Sequence, residues 1–345
     1  MSSCEGPDIQ SSVMERAIKL CIPVTLMIEV GQACNFKCQH CYNFDRSKKP
    51  TSPLLPIDLS LAKTALIQGR GLGCITLCLT GGEVLAYPHL NELIEEARRL
   101  HYAVRLKTNA SLVTKQRAQE LKALGVSDCE VSVYGMSEAT YEAFTGKGNG
   151  YSLAKRGIEN LLQAGIVVTL NMILHKGNFR ELGHMLSWAD ELGVDYQISQ
   201  DLTERYDGTK DSLRWRLDAK ELRELYESFP QVFLTPVFPR ETLNCGCARL
   251  QIAIGHDGRV YPCLGAPIEV GDLRHQSLEE IWHQSPTLKW MRGLETEDYK
   301  TCGTCSSKDY CQRSSGAVFV NTGNYLGKDE WLCDQAELKQ ELMST

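Results

Sequence analysis

The chain of 345 residues has a formal charge of −6, with 43% hydrophobic and 23% charged residues, the make-up of a folded protein rather than a disordered one. That balance has no basic stripe to neutralise phosphates, which argues against nucleic acid as a partner, and its apolar runs fall short of the ~20 residues of a bilayer span. The opening MSSCEGPDIQ lacks the basic-then-apolar order of a secretion signal, so a cytoplasmic protein is expected. Fifteen cysteines would there stay reduced, which points to metal or cluster binding rather than disulfides.

From residue 24 to about 200, β-rich runs alternate with helical periodicity, the pattern of βα units on a parallel sheet. The first strand is TLMIEV (25–30), followed at once by Cys34, Cys38 and Cys41 in ACNFKCQHCYN. A helix through DLSLAKTALIQGRG leads to a second strand, CITLCL (74–79), and to LTGGEVLAYP with Gly81, Gly82 and Glu83. HLNELIEEARRLHY separates this from the third strand, VRLKT (104–108), which ends at Thr108 and Asn109. The helical TKQRAQELKALG precedes the fourth strand, CEVSVY (129–134), carrying Ser132 and Tyr134. GKGNGYS (146–152) reads as a loop and AKRGIENLLQAG as the helix after it. VVTLNMI (167–173) with Asn171, a helix through RELGHMLSWADELG, and YQIS (196–199) complete six strands. Right-handed crossovers wind such strands into a partial (βα)6 barrel of the TIM-like kind.

The alternation then breaks in a charged, proline-bearing bridge, and a second, cysteine-rich unit begins at Cys245. There LQIAIGHDGRVYPC reads as a hairpin turned at HDG. The expected organisation is an N-terminal extension (1–23), a barrel core (24–205), a bridge (206–244), the cysteine-rich domain (245–335) and a C-terminal helix or tail (336–345). Cys4, Cys21, Cys74, Cys78 and Cys129 are scattered and are read as small packing residues.

Three thiolates on the loop after strand one leave a position over, because closed zinc sites and simple cubane clusters both take four ligands. That loop lies on the C-terminal face, where such barrels place catalysis. Glycines at 81 and 82 let backbone come close to a ligand, and a carboxylate at 83 can hold an ammonium group. In the second region, Cys247-x10-Gly258-x4-Cys263 is followed by Cys302-x2-Cys305-x5-Cys311 and Cys333. Taken alone, that region would also suit a pair of zinc knuckles.

The Cys34-x3-Cys38-x2-Cys41 loop with Gly81-Gly82-Glu83 resembles the radical S-adenosylmethionine (SAM) superfamily, and the later cysteines resemble its SPASM extension. The resemblance implies that Cys34, Cys38 and Cys41 hold a [4Fe-4S] cluster whose fourth iron is chelated by SAM. The implied activity is reductive SAM cleavage to a 5′-deoxyadenosyl radical that abstracts hydrogen, in an oxygen-sensitive enzyme. It implies SAM contacts from Gly81, Gly82, Glu83, Thr108, Asn109, Ser132 and Asn171, with His40 packing near the adenine or merely closing the loop. It implies an outer auxiliary cluster on Cys302, Cys305, Cys311 and Cys333, and an inner one on Cys245, Cys247 and Cys263.

The inner set departs from the pattern, since Ser314 and Ser315 stand where a fourth cysteine is expected. A three-cysteine cluster is favoured; a serine oxygen or water in the fourth place, or no cluster at all, are the alternatives. The tight Cys245-x-Cys247 spacing could make one of that pair a bystander. Similar proteins mostly modify ribosomally made peptides, so the expected reaction is an oxidative cross-link, thioether formation or dehydrogenation of such a peptide, ahead of epimerisation. Small-molecule work, on an aminocyclitol or a tetrapyrrole side chain, is the second expectation, and a non-catalytic zinc-stapled scaffold the third. The expected partners are a peptide substrate, a separate leader-recognition protein because only about twenty residues precede strand one, and an electron donor such as flavodoxin or ferredoxin.

Overall fold

The computed structural model of the chain describes residues 9–50, 53–234, 243 and 245–344. Cys4 and most of the expected PVFPRETLN end of the bridge lie outside them. Six parallel strands form in chain order: β1 Thr25–Glu29, β2 Thr76–Thr80, β3 Ala103–Thr108, β4 Val126–Val133, β5 Val167–Ile173 and β6 Asp195–Ser199. Their outward side chains, such as Leu26, Ile28, Leu77, Leu79, Val104 and Leu106, are fully buried, each stabilising the fold by roughly 1.5–3 kcal/mol.

After α1 Ile9–Leu20, the strands pack under helices α2 Leu59–Leu72, α3 Leu90–Arg99, α4 Lys115–Ala123, α5 Glu138–Thr145, α6 Gly150–Gln163 and α7 Leu182–Leu192. The helix α2 shows how sequence sets a boundary. Asp58 accepts from the backbone N–H groups of Ser60 and Leu61 at its start, and Gly73 at φ 111° ends it.

Two elements differ from the expectation. Helix α5 is additional, and α6 begins at Gly150, inside the stretch read as a loop. The cause is non-local: the Glu138 carboxylate of α5 accepts from the backbone N–H groups of Tyr151 and Ser152, capping the first turn of its neighbour.

Beyond the bridge, with helices α8 Ala219–Ser228 and α9 Pro230–Phe233, the hairpin forms as β7 Gln251–Ile254 and β8 Arg259–Tyr261, followed by β9 Gly271–Asp272. The hairpin is not set apart from the barrel sheet. Strand β7 pairs parallel to β1, giving one nine-stranded sheet in the order β6-β5-β4-β3-β2-β1-β7-β8-β9. Helices α10 Leu278–Gln284, α11 Pro286–Gly293, α12 Lys300–Gly303, α13 Ser315–Thr322 and α14 Glu330–Ser344 complete the chain. Helix α14 runs through residue 335 without a break, because Asp329 starts it by accepting from the Trp331 backbone N–H.

At the β7–β8 turn, His256 Nδ1 lies 2.9 Å from Glu29 at the end of β1, so an ion pair joins the two parts of the sheet. The hydrogen bond to that carboxylate raises the His256 pKa, with a further contribution from Asp257 and opposition from burial and Arg259. A raised histidine contributes its stability in full below the unfolded value near 6.5 and loses it as pH rises through the folded one. His256→Leu should therefore melt about 2 °C below wild type at pH 6, with the gap closing by pH 8.5. Parallel thermal scans across that range check this; a gap independent of pH would show packing, not charge, at work. Among the described residues, no helix is long and apolar enough to cross a membrane.

Candidate active site

The loop after β1 carries the cysteine trio, and it is held from several sides. Gly82 N–H donates to Gly31 O and Glu83 N–H to Ala33 O, while Lys37 and Gln39 N–H groups donate to Thr145 O and Phe144 O of α5. A Cβ on Gly81 would overlap Gly31 O, and one on Gly82 would overlap the carbonyl oxygens of Gln32 and Ala33. The two glycines thus admit the backbone of the cysteine loop itself, not only a ligand. Gly82→Ala should destabilise the protein by about 1–3 kcal/mol through overpacking and cut iron uptake by the loop. Chemical denaturation and an iron count after anaerobic reconstitution read both, and wild-type values in each would refute the close-approach account.

Two arginines that sequence reasoning missed fix the same loop. Arg46 Nε donates to Cys41 Sγ at 2.9 Å and its Nη1 to Gln32 O at 2.7 Å. Against the cost of burial, the Cys41 thiol keeps the Arg46 guanidinium charged. Arg205, itself buried, donates to Cys41 O and Gln39 O and pairs with Asp211. Neither has a local signature, since Arg46 looks like any charge in a polar loop and Arg205 lies 164 residues from Cys41. Burial raises the Cys34 and Cys38 thiols, and for Cys38 the neighbouring Cys34 and Cys41 add to it. Opposing it are the Phe36 N–H at Cys34 and Tyr134 at Cys38, and after them at both the Arg46 cation, which favours thiolates.

The ends of β2, β3, β4 and β5, with Met27 of β1, meet at one cavity of about 460 Å³, lined by Cys34, Cys38 and Cys41 and by Gly81, Gly82, Thr108, Asn109, Ser132, Asn171 and His40. The sequence-predicted residues are therefore brought together, except that Glu83 sits just behind the wall. Its carboxylate is buried and accepts from Thr108 Oγ1 at 2.6 Å, Asn109 N at 2.8 Å and Leu85 N at 3.1 Å. Burial raises its pKa in spite of those donors. Asn109 Nδ2 reaches Asn35 Oδ1 at 3.0 Å, which ties the end of β3 to the cysteine loop.

His40 stacks on Phe144, with ring centroids 5.0 Å apart and an interplanar angle of 14°. Burial, aided by Arg205, lowers its pKa to about 4, so it is neutral. Among the described residues its buried Nδ1 has no hydrogen-bond partner, so a polar atom faces a ligand's place at the cavity wall.

Deeper in, Lys107 Nζ meets Glu130 Oε1 at 2.8 Å, and Asn171 Nδ2 reaches the same oxygen at 3.3 Å. Lys107 and Glu130 are register partners on β3 and β4. Their signal was available: opposite charges on the alternate positions of two buried parallel strands line a lumen, since side chains alternate between faces.

In the second cysteine region, Cys245 Sγ lies 2.8 Å from Cys247 Sγ, and Cys247 Sγ 3.1 Å from Cys263 Sγ. The three sulfurs lie in one run of contacts. Cys333 is pushed up to about 11 by burial and then by Cys311, Glu330 and Cys302, so those thiols are neighbours, and Cys305 follows Cys302 on one turn. Among the described residues, no three His, Cys, Asp or Glu side chains are set to hold a single metal ion. Three groups of soft sulfur donors nevertheless fit iron–sulfur clusters by ligand chemistry.

The chain matches two family models: the radical SAM superfamily over residues 28–189, and the iron-sulfur cluster-binding (SPASM) domain over residues 245–306. Among curated relatives, an AdoMet-dependent heme synthase of Methanosarcina barkeri is 25% identical over 90% of this chain and 96% of its own length. A PqqA peptide cyclase of Gluconobacter oxydans is 26% identical over 88% of this chain and 89% of its own. Among solved structures, Streptococcus suis SuiB bound to S-adenosylmethionine superposes with a TM-score of 0.67 at 16% identity. It covers 94% of this chain and 81% of that one, a likeness of fold.

Proposed function

The chain belongs to the radical SAM superfamily, is an enzyme, and carries a SPASM iron-sulfur cluster-binding domain; from that premise we propose that it oxidatively modifies a ribosomally synthesised peptide. When bound, SAM and a reduced [4Fe-4S] cluster supply a 5′-deoxyadenosyl radical that abstracts a hydrogen atom. Cys34, Cys38 and Cys41 would hold that cluster, and Arg46 fixes the Cys41 sulfur and balances its charge.

Glu83, oriented by Thr108 and Asn109 just behind the wall, holds a negative charge suited to the ammonium group of SAM. The unpartnered His40 Nδ1 suits an adenine edge. Ser132, which bonds Tyr134, and Asn171 add polar contacts from the ends of β4 and β5. Lys107 and Glu130 pair in the same cavity and would orient a polar group of the substrate. Positioning of the substrate matters because an unshielded radical carbon reacts with any C–H bond it meets.

One observation carries the peptide reading. A second cavity of about 290 Å³ runs beside β6, the exposed edge strand of the sheet, lined by Tyr196, Ile198 and Gln200, and it shares Asp201 with the first. A groove along an edge that no described strand pairs suits an extended peptide, which adds backbone hydrogen bonds there. The PqqA peptide cyclase relative points the same way.

A second reading rests on the heme synthase relatives: Arg46 and Lys107 in the first cavity could pair with the carboxylates of a tetrapyrrole whose side chains are oxidised. Anaerobically reconstituted enzyme with SAM and dithionite separates the two. Short peptides encoded beside the gene should stimulate 5′-deoxyadenosine formation and themselves lose hydrogen by mass spectrometry, whereas carboxylated iron porphyrins should do neither. Turnover of the porphyrin alone would overturn the peptide reading.

A further inference from the structure

We propose that Lys339 is a specificity residue of the groove beside β6, where its ammonium group receives the side-chain carboxylate of an aspartate or glutamate in the substrate peptide. This deepens the peptide reading above and rests on it.

The reason begins with where the sequence puts the charge. Leu332, Gln335, Ala336 and Lys339 recur three and four residues apart and form the buried stripe of α14. A lysine is out of place there, since this residue type is almost never fully buried unless paired. Lys339 is only 6% exposed, yet among the described residues no hydrogen bond or ion pair reaches its ammonium group. Its contact is a ring: Nζ lies 5.4 Å from the centroid of Tyr226. A cation over a ring gains some attraction and leaves its three N–H donors unused. Burial works against the charge, while Cys311 and Asp201 work for it.

The surroundings add a donor. Lys339 lines the cavity of about 290 Å³ together with Gln200 and Gln335. The Tyr226 hydroxyl lies 3.1 Å from the side-chain oxygen of each glutamine, so both oxygens converge on that phenol. Gln335 uses its nitrogen on Trp331 O, which leaves the Gln200 NH2 group as a donor in the same cavity as the ammonium. Asp201, the residue that the two cavities share, forms no ion pair with Lys339 among the described residues. A buried cation and an amide donor facing one cavity call for an anion with two oxygens, which a carboxylate supplies.

The strand decides which carboxylate. Tyr196 and Ile198 of β6 and Gln200 just beyond it alternate along the chain, so one face of the edge is turned to the cavity. A peptide added to that edge alternates in the same way: its main chain stays in the ladder and every second side chain passes over the cavity. An acidic side chain therefore reaches Lys339 from mid-peptide, without the peptide having to end there.

A display library of short peptides randomised at every position is panned on anaerobically reconstituted holoenzyme, as wild type and as Lys339→Met, whose side chain is of similar length and uncharged. Wild type should enrich aspartate or glutamate at one position roughly tenfold or more over Lys339→Met, the worth of a charge-assisted hydrogen bond in a buried place. Lys339→Glu, where it folds, should enrich lysine or arginine there instead. Recovered peptides should bind equally with free and amidated C-termini; a need for the free terminus would overturn the side-chain assignment. Absence of acidic enrichment in wild type, or its persistence in Lys339→Met, would overturn the proposal. Persistence together with a changed electron paramagnetic resonance spectrum would assign the lysine to the neighbouring Cys311 instead. The parent reading is judged separately: recovered peptides that neither stimulate 5′-deoxyadenosine formation nor lose hydrogen would fault it and this inference together, whereas equal turnover of acidic and neutral peptides would fault only this one.

Discussion

Alanine in place of any one of Cys34, Cys38 or Cys41 should abolish 5′-deoxyadenosine formation, a fall of at least about a thousandfold, or about 4 kcal/mol of barrier. The expectation is a chemical loss and not a folding defect. The loop keeps its backbone anchors in each variant: the Gly82 and Glu83 amides on its first residues, the α5 carbonyls on Lys37 and Gln39, and Arg205 on the carbonyls of Gln39 and Cys41. None of these contacts uses a thiol. Melting temperature should stay close to wild type while the iron bound by this loop is lost and that of the second region remains. Cys302→Ala should behave differently, continuing to cleave SAM while losing modified product, because its thiol sits with Cys311 and Cys333 rather than at the cavity. Deoxyadenosine produced at the normal rate by a Cys38→Ala protein would remove the foundation of the functional reading.

How far the chain could be read before its structure depends on whether the cause is local. Strand positions were legible because β-branched runs bounded by helical periodicity are local, and the cysteine spacings were legible because ligand sets on one loop are local too. The start of α6 was not, since its cap is Glu138 from another helix. Nor was the pairing of β7 with β1: Gln251–Ile254 is short and apolar, and its partner is chosen by packing of the whole sheet. In the site, Glu83 was read through its motif, yet the role of Gly82 changed from admitting a ligand to admitting the cysteine loop. Arg46 and Arg205 went unread because a single charge says nothing of its partner until the chain folds, whereas the Lys107–Glu130 pair was legible from strand alternation and was passed over. Ser315 sharpens the point: only the fold shows that the buried Arg313 donates to its hydroxyl.

Glu83→Gln should weaken SAM binding by roughly 10- to 150-fold, the loss of about 1.5–3 kcal/mol that attends removal of a charge-assisted hydrogen bond. The exchange looks conservative and is not. In the native protein one oxygen accepts from Thr108 and Leu85, and the other from the Asn109 N–H. A glutamine must aim its NH2 group at donors whichever way it turns, so one of these bonds becomes a donor–donor contact in a buried place. The ends of β2 and β3 then part, and the negative charge that would face an ammonium group is gone. Thr108→Val removes one donor and keeps the carboxylate, so it should cost less than about tenfold. Because burial raises the Glu83 pKa, wild-type affinity should also fall on acidification through that raised value, a trend absent in Glu83→Gln. Calorimetric titration of SAM across pH tests all three statements. Equal affinity for Glu83→Gln and wild type would mean that the cofactor's ammonium group is held elsewhere.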